Sequence, residues 1–129
     1  MIRRLIGKRR LAGSTMESRI MYIEIKDDVV GPARIARVTF SKSGRTIRYG
    51  PWVLRSLKGS GFKANYFDAD TGRRFWVSGP RQDGMDCLYP AVVKIDEDAR
   101  VGYWCCVRRL PECVHIASYR SPGKHSRRR

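Results

Sequence analysis

From Met21 to Ile95 the chain alternates apolar and polar positions in short runs separated by turn signals. Such period-two runs predict half-buried strands. Met21-Tyr-Ile-Glu-Ile-Lys26 is the first, with Asp27–Pro32 as its connection. Ala33–Phe40 is the second, with Ala36, Val38 and Phe40 on one face and Arg37 and Thr39 on the other. Ser41-Lys-Ser-Gly44 reads as a hairpin turn. Arg45–Tyr49 returns with Ile47 and Tyr49 inward and Thr46 and Arg48 outward. Trp52–Leu57 follows Gly50-Pro51. Phe62–Phe67 and Arg73–Val77 flank the turn Asp68-Ala-Asp-Thr-Gly72, with Phe75 and Val77 opposite Trp76. Ser78–Pro90 reads as a long polar loop and Ala91–Ile95 as the last strand.

The period then changes. Ala99, Tyr103, Cys106, Val107 and Leu110 form an apolar stripe at helical spacing. Asp96 suits the N-cap, and Glu97 and Asp98 suit a first turn. Arg108 and Arg109 suit the last turn, and Pro111 stops the helix. Gly102 costs this helix about 1 kcal/mol relative to alanine. The expected fold is mainly β: a small, strongly bent antiparallel sheet or barrel of about six or seven short strands, with one C-terminal helix over residues 97–110.

Length and charge limit function more than fold. The 129 residues amount to one domain. Basic residues outnumber acidic ones 27 to 12, a formal net charge of +15. Residues 1–20 hold six basic residues and one acid, and residues 111–129 hold five and one. Both ends lack strand or helix periodicity and are expected to be flexible basic extensions around a domain at 21–110. Met16 and Met21 offer internal starts and the patterned region begins at Met21, so a start at Met1, Met16 or Met21 fits the sequence. No apolar run approaches the roughly 18 residues of a membrane span, and Leu5–Ile6 is too short for a signal-peptide core. The expected location is therefore cytoplasmic, with Cys87, Cys105, Cys106 and Cys113 as reduced thiols.

Five strings carry a resemblance: Arg34-Ile-Ala-Arg-Val-Thr-Phe-Ser-Lys-Ser-Gly44, Ser56-Leu-Lys-Gly-Ser-Gly-Phe-Lys-Ala-Asn-Tyr-Phe-Asp68, Asp70-Thr-Gly72, Trp76-Val-Ser-Gly-Pro80 and Lys94-Ile-Asp-Glu-Asp98. Over residues 21–104 the chain resembles a group of small uncharacterised bacterial proteins, whose members usually begin near the position of Met21. Some of that group carry the name of the thiamine-dependent synthase that makes deoxyxylulose phosphate. A thiamine diphosphate enzyme needs a far longer chain and a metal–diphosphate motif absent here. The resemblance implies a compact bacterial module and transfers no catalytic residue. Cys105-Cys106 and residues 111–129 depart from the group.

The candidate chemistry is a basic face. Arg34, Arg37, Arg45, Arg48 and Arg55 sit on consecutive expected strands, with Lys58 and Lys63 beside the next turn and Trp52, Tyr66 and Trp76 dispersed among them. Cations neutralise phosphates and release counterions, and exposed rings stack on bases. The same residues also fit a solvated outer face whose rings belong to the core. Gly59, Ser60 and Gly61, between the two lysines, form a candidate phosphate loop without Walker spacing, and they also fit a plain turn. The cysteines lack the spaced pairs that zinc favours, and the histidines, His115 and His125, fall in the expected tail, so no metal, cofactor or catalytic residue is assigned. The expectation is a non-enzymatic module that binds RNA or DNA through the strand-borne arginines. The alternative is a protein-interaction module or an accessory subunit of a larger assembly.

Overall fold

The computed structural model describes residues 17–26, 33–57, 64–87 and 89–123. Its strands are β1 (Glu17–Ile25), β2 (Ala33–Phe40), β3 (Thr46–Tyr49), β4 (Trp52–Ser56), β5 (Tyr66–Asp68), β6 (Arg74–Ser78), β7 (Ala91–Ile95) and β8 (Ser118–Ser121). β1 to β6 pair antiparallel in the order β1-β6-β5-β4-β3-β2, and β1 also pairs with β2, which closes a six-stranded barrel. The mainly β barrel with one short C-terminal helix is the architecture that the alternation predicted.

Closure follows from the way β1 and β2 are shared. β1 lies along β2 from Glu17↔Phe40 to Ile23↔Arg34, while its last residues, Tyr22–Ile25, also bond β6. Thr39 and Phe40 at the end of β2 bond β3. The start of β2, Ala33–Ile35, instead bonds β7 in parallel, and β7 carries β8.

Two apolar cores result, one on each side of β1 and β2. Ile23, Ala36, Val38, Ile47, Leu54, Phe75 and Val77 fill the barrel. Tyr22, Ala33, Ile35, Cys87, Val93, Ile95, Ala99, Tyr103 and Trp104 form the second core, between the outside of the barrel and the helix. Alternation along β2 feeds both: the even positions Ala36 and Val38 face into the barrel, and the odd positions Ala33 and Ile35 face the helix.

The helix departs from the sequence expectation in register and ends. It runs through a tight turn at Glu97–Ala99, an α-turn at Arg100–Gly102 and a wide π-turn at Tyr103–Val107. In the wide turn Arg108 N donates to Tyr103 O at 2.9 Å, five residues back. The extra residue rotates the stripe, so Trp104 is buried and Cys106, expected inward, is exposed. Asp96 occupies the N-cap position but makes no side-chain cap bond, because its carboxylate is engaged elsewhere. Gly102 sits in close approach to β1: a Cβ there would lie 2.6 Å from Ile20 Cδ1, which would have to move aside.

The flexible tail expected from residue 111 is also corrected. Pro111–Cys113 form a short turn of helix, and Ser118–Ser121 pair with Ala91–Lys94. Tyr119 packs on the helix-side core and Ser121 is fully buried, accepting a bond from Cys87 N. One ring and one small polar residue give too weak an alternation to mark this strand in the sequence. At the other end, β1 starts at Glu17, within the expected extension. Residues 1–16 and 124–129 lie outside the described residues, as do the connection 27–32 and the loop 58–63.

Candidate nucleic-acid interface

The outer surface of the barrel is set by strand register. Thr46 lies opposite Arg55, and Arg48 opposite Val53. Arg55 lies opposite Phe67, and Phe67 opposite Arg74. Ile47 and Leu54, the intervening residues, point inward and are fully buried, so Arg48, Arg55 and Phe67 share the outside. Arg48 and Arg55 are diagonal neighbours, a spacing of about 7–8 Å.

Arg45 completes this group from the rim. Its carbonyl accepts the Ser56 N–H at 2.8 Å, which extends the β3–β4 pairing by one step. Arg45, Thr46, Arg55, Ser56 and Phe67 line an open depression of about 290 Å³. Two arginines, a threonine, a serine and a phenylalanine therefore wall one hollow. Its volume sits near the lower bound of ligand pockets, roughly 300–1,000 Å³.

Electrostatics separates the arginines into groups. Arg19, Arg34 and Arg81 are ion-paired with Glu17, Asp96 and Asp83. Arg100 donates to Ile95 O, and Arg108 lies over the rings of Tyr103, Trp104 and Tyr119. Among the described residues, no carboxylate lies within ion-pair distance of Arg45, Arg48 or Arg55. All three are exposed.

The five strand arginines singled out in the sequence therefore do not form one set. Arg45, Arg48 and Arg55 come together. Arg37 is a diagonal step from Arg48 through the Thr39↔Arg48 pair, at the border, and donates to Asp98 O at 3.3 Å. Arg34 is drawn to the seam between barrel and helix, where Asp96 receives it at 2.6 Å. Lys58, Lys63 and the loop glycines Gly59 and Gly61 with Ser60 lie outside the described residues.

The aromatic residues also separate. Trp52 packs edge-on against Tyr49 and at a tilt against Phe75 at the barrel core, and Tyr66 points inward, donating to Gly44 O at 2.8 Å. Trp76 remains outside, 37% exposed, with its indole N–H on Ser78 Oγ at 3.1 Å. Phe67, which the sequence reading passed over, stands beside Arg55. The signal for it was the alternation of β5 itself: Tyr66 and Asp68 face one way, so Phe67 must face the other.

The remaining polar clusters belong to the packing. Tyr22 Oη donates to Glu24 at 2.5 Å and lies 3.2 Å from Cys87 Sγ, and burial pushes this phenol well above its ordinary range. Tyr119 Oη donates to Asp86 at 2.7 Å and is raised in the same way. No three metal-ligating side chains converge among the described residues. No helix among them is long and apolar enough to cross a membrane.

No protein-family model, curated protein or solved structure matches this chain.

Proposed function

We propose that this protein is a non-catalytic nucleic-acid-binding module that engages the phosphate backbone of RNA or DNA through Arg48 and Arg55 on the outside of β3 and β4 and Arg45 at the rim before β3. The observation that carries this reading is the contrast among arginines. Those at the seam and in the loop are neutralised by carboxylates, whereas Arg45 and Arg55 line a hollow that no carboxylate lines and Arg48 lies one diagonal step from Arg55. A cluster of like charges on neighbouring strands costs stability through repulsion. A polyanion relieves that repulsion and gains counterion release. The +15 charge of the whole chain adds sequence-independent attraction. A cytoplasmic setting belongs to the same proposal.

The module contacts phosphate and shape rather than a fixed sequence, since guanidiniums on phosphates carry no base information. Its test is direct titration with labelled RNA and DNA at low and at several hundred millimolar salt. Backbone-driven binding falls steeply across that range. A second reading, docking of a protein segment, rests on β8, which among the described residues pairs only with β7 and leaves a sheet edge. Binding through that edge would keep most of its affinity in high salt.

A further inference from the structure

We infer, building on the nucleic-acid reading above, that the ligand class is single-stranded nucleic acid and that Phe67 and Trp76 are its stacking platform. Phe67 on β5 lies directly opposite Arg74 on β6, and Trp76 is two residues further along the same face of β6. That makes the two rings diagonal neighbours, about 7–8 Å apart at their origins. Phe67 also lies opposite Arg55, so the ring pair continues directly from the arginine hollow. A backbone held at Arg55 and Arg45 places its next bases over these rings.

Duplex makes poor use of this arrangement. Its bases are stacked on one another, so rings on a protein surface cannot reach their faces, and only the guanidiniums would take part. The surface is also the outside of a small closed barrel, hence convex. Duplex DNA is stiff, with a persistence length of about 50 nm, and touches such a surface over few phosphates. A single strand bends around it and presents unstacked bases to the rings. The three tryptophans make the point internally. Trp52 is half-buried against Phe75, Trp104 is 3% exposed with its N–H on Ile116 O, and Trp76 is 37% exposed on the arginine side of the barrel. The bond from Trp76 to Ser78 on the same strand fixes the indole N–H, and the side chain stays 37% exposed.

The test compares oligothymidylate, oligouridylate, a mixed-sequence duplex and inorganic polyphosphate, each against wild type, Trp76→Leu and Trp76→Phe, at fixed moderate salt. The position is exposed, so both variants keep the fold; Phe keeps a π-face and Leu does not. Wild type should bind the single strands about tenfold more tightly than the duplex, with quenched tryptophan fluorescence. Trp76→Leu should lose about tenfold on single strands and nothing on polyphosphate, and Trp76→Phe should recover most of that loss. Equal affinity of wild type for single strands and duplex, or Trp76→Leu binding single strands as wild type does, overturns the inference. If replacing Arg45, Arg48 and Arg55 still abolishes binding in that case, the broader nucleic-acid reading stands. Failure of wild type to bind any of the nucleic acids at low salt overturns both.

Discussion

Arg34 Nη1 meets Asp96 Oδ1 at 2.6 Å, across 62 positions of sequence, where β2 ends its pairing with β7 and the helix begins. The other oxygen of Asp96 accepts the Tyr49 hydroxyl at 2.8 Å, so one carboxylate ties β2, β3 and the helix start together. Burial first, and then Asp96, push the Tyr49 phenol above its ordinary range. Arg34 is half-exposed, so the pair is screened, and its loss costs about 1 kcal/mol. Arg34→Gln is therefore expected to lower the urea midpoint slightly and to leave the salt dependence of nucleic-acid binding unchanged. A changed salt slope would return Arg34 to the binding face.

Arg108 does structural work of a different kind. Its guanidinium lies 5.2–5.8 Å from the ring centres of Trp104, Tyr119 and Tyr103 and donates to Tyr103 Oη at 3.0 Å. A planar, weakly hydrated cation suits a site walled by rings, and a compact ammonium does not. Arg108→Ala should destabilise by about 2 kcal/mol, and Arg108→Lys should restore less than half of that. Thermal unfolding of the two variants decides it. Full rescue by lysine would mean that charge alone matters there.

Two carboxyls three residues apart are expected to titrate in opposite directions. Asp83 is exposed and takes a two-pronged bond from Arg81 at 3.0 and 3.1 Å plus the Met85 N–H, which hold its pKa down to about 2. Asp86 is raised, first because it is desolvated, against the lowering effect of the Tyr119 hydroxyl and the Arg81 N–H. The signs follow by linkage. The contribution of Asp83 is present above its ordinary 3.8 and is lost as pH falls toward about 2. The contribution of Asp86 is present below 3.8 and is lost as pH rises through its elevated folded value. Carboxyl-detected NMR titration should show the two midpoints on opposite sides of 3.8. Asp86→Asn should flatten the decline in stability as pH rises above that point. Coincident midpoints would contradict the loop geometry.

The corrected C-terminal segment offers a sharp backbone test. Gly123 has φ +84°, and a Cβ there would lie 2.5 Å from the Tyr89 carbonyl carbon and 2.7 Å from Pro90 N. Backbone atoms cannot swing aside as a flexible side chain can. Gly123→Ala should therefore cost about 2 kcal/mol or more, through left-handed strain and collision together. Hydrogen exchange should show the loss first at β8, with faster exchange at Tyr119 and Ser121. Unchanged protection there would mean that β8 does not depend on this turn.

Much of the barrel was legible because alternation is local. Ala36, Val38, Ile47, Leu54, Phe75 and Val77 all face the barrel core, as the period-two pattern implies. Pairings between distant segments are not local. The bond pattern from Tyr22–Ile25 to β6 closes the barrel, yet no short window contains both strands. The helix was found, but the wide turn at Tyr103–Val107 moved Trp104 inward and Cys106 outward, and a fixed 3.6-residue period cannot show that. For the arginine face, outward direction was readable strand by strand for Arg37, Arg48 and Arg55. Which arginines are neutralised was not, since Asp96 reaches Arg34 only through the fold. Phe67 was readable in principle from its own alternation and was hidden by a strand of three residues.

If Arg45, Arg48 and Arg55 act as one phosphate-binding group, the salt dependence of binding reports it. Each phosphate contact contributes roughly 0.7 to the slope of log affinity against log salt for a single strand, so replacing all three arginines with glutamine should reduce the slope by about 2. Circular dichroism should match wild type and the urea midpoint should stay at or slightly above it, because all three side chains are exposed and their mutual repulsion is removed. A triple variant that folds and keeps the wild-type slope and affinity would contradict the account.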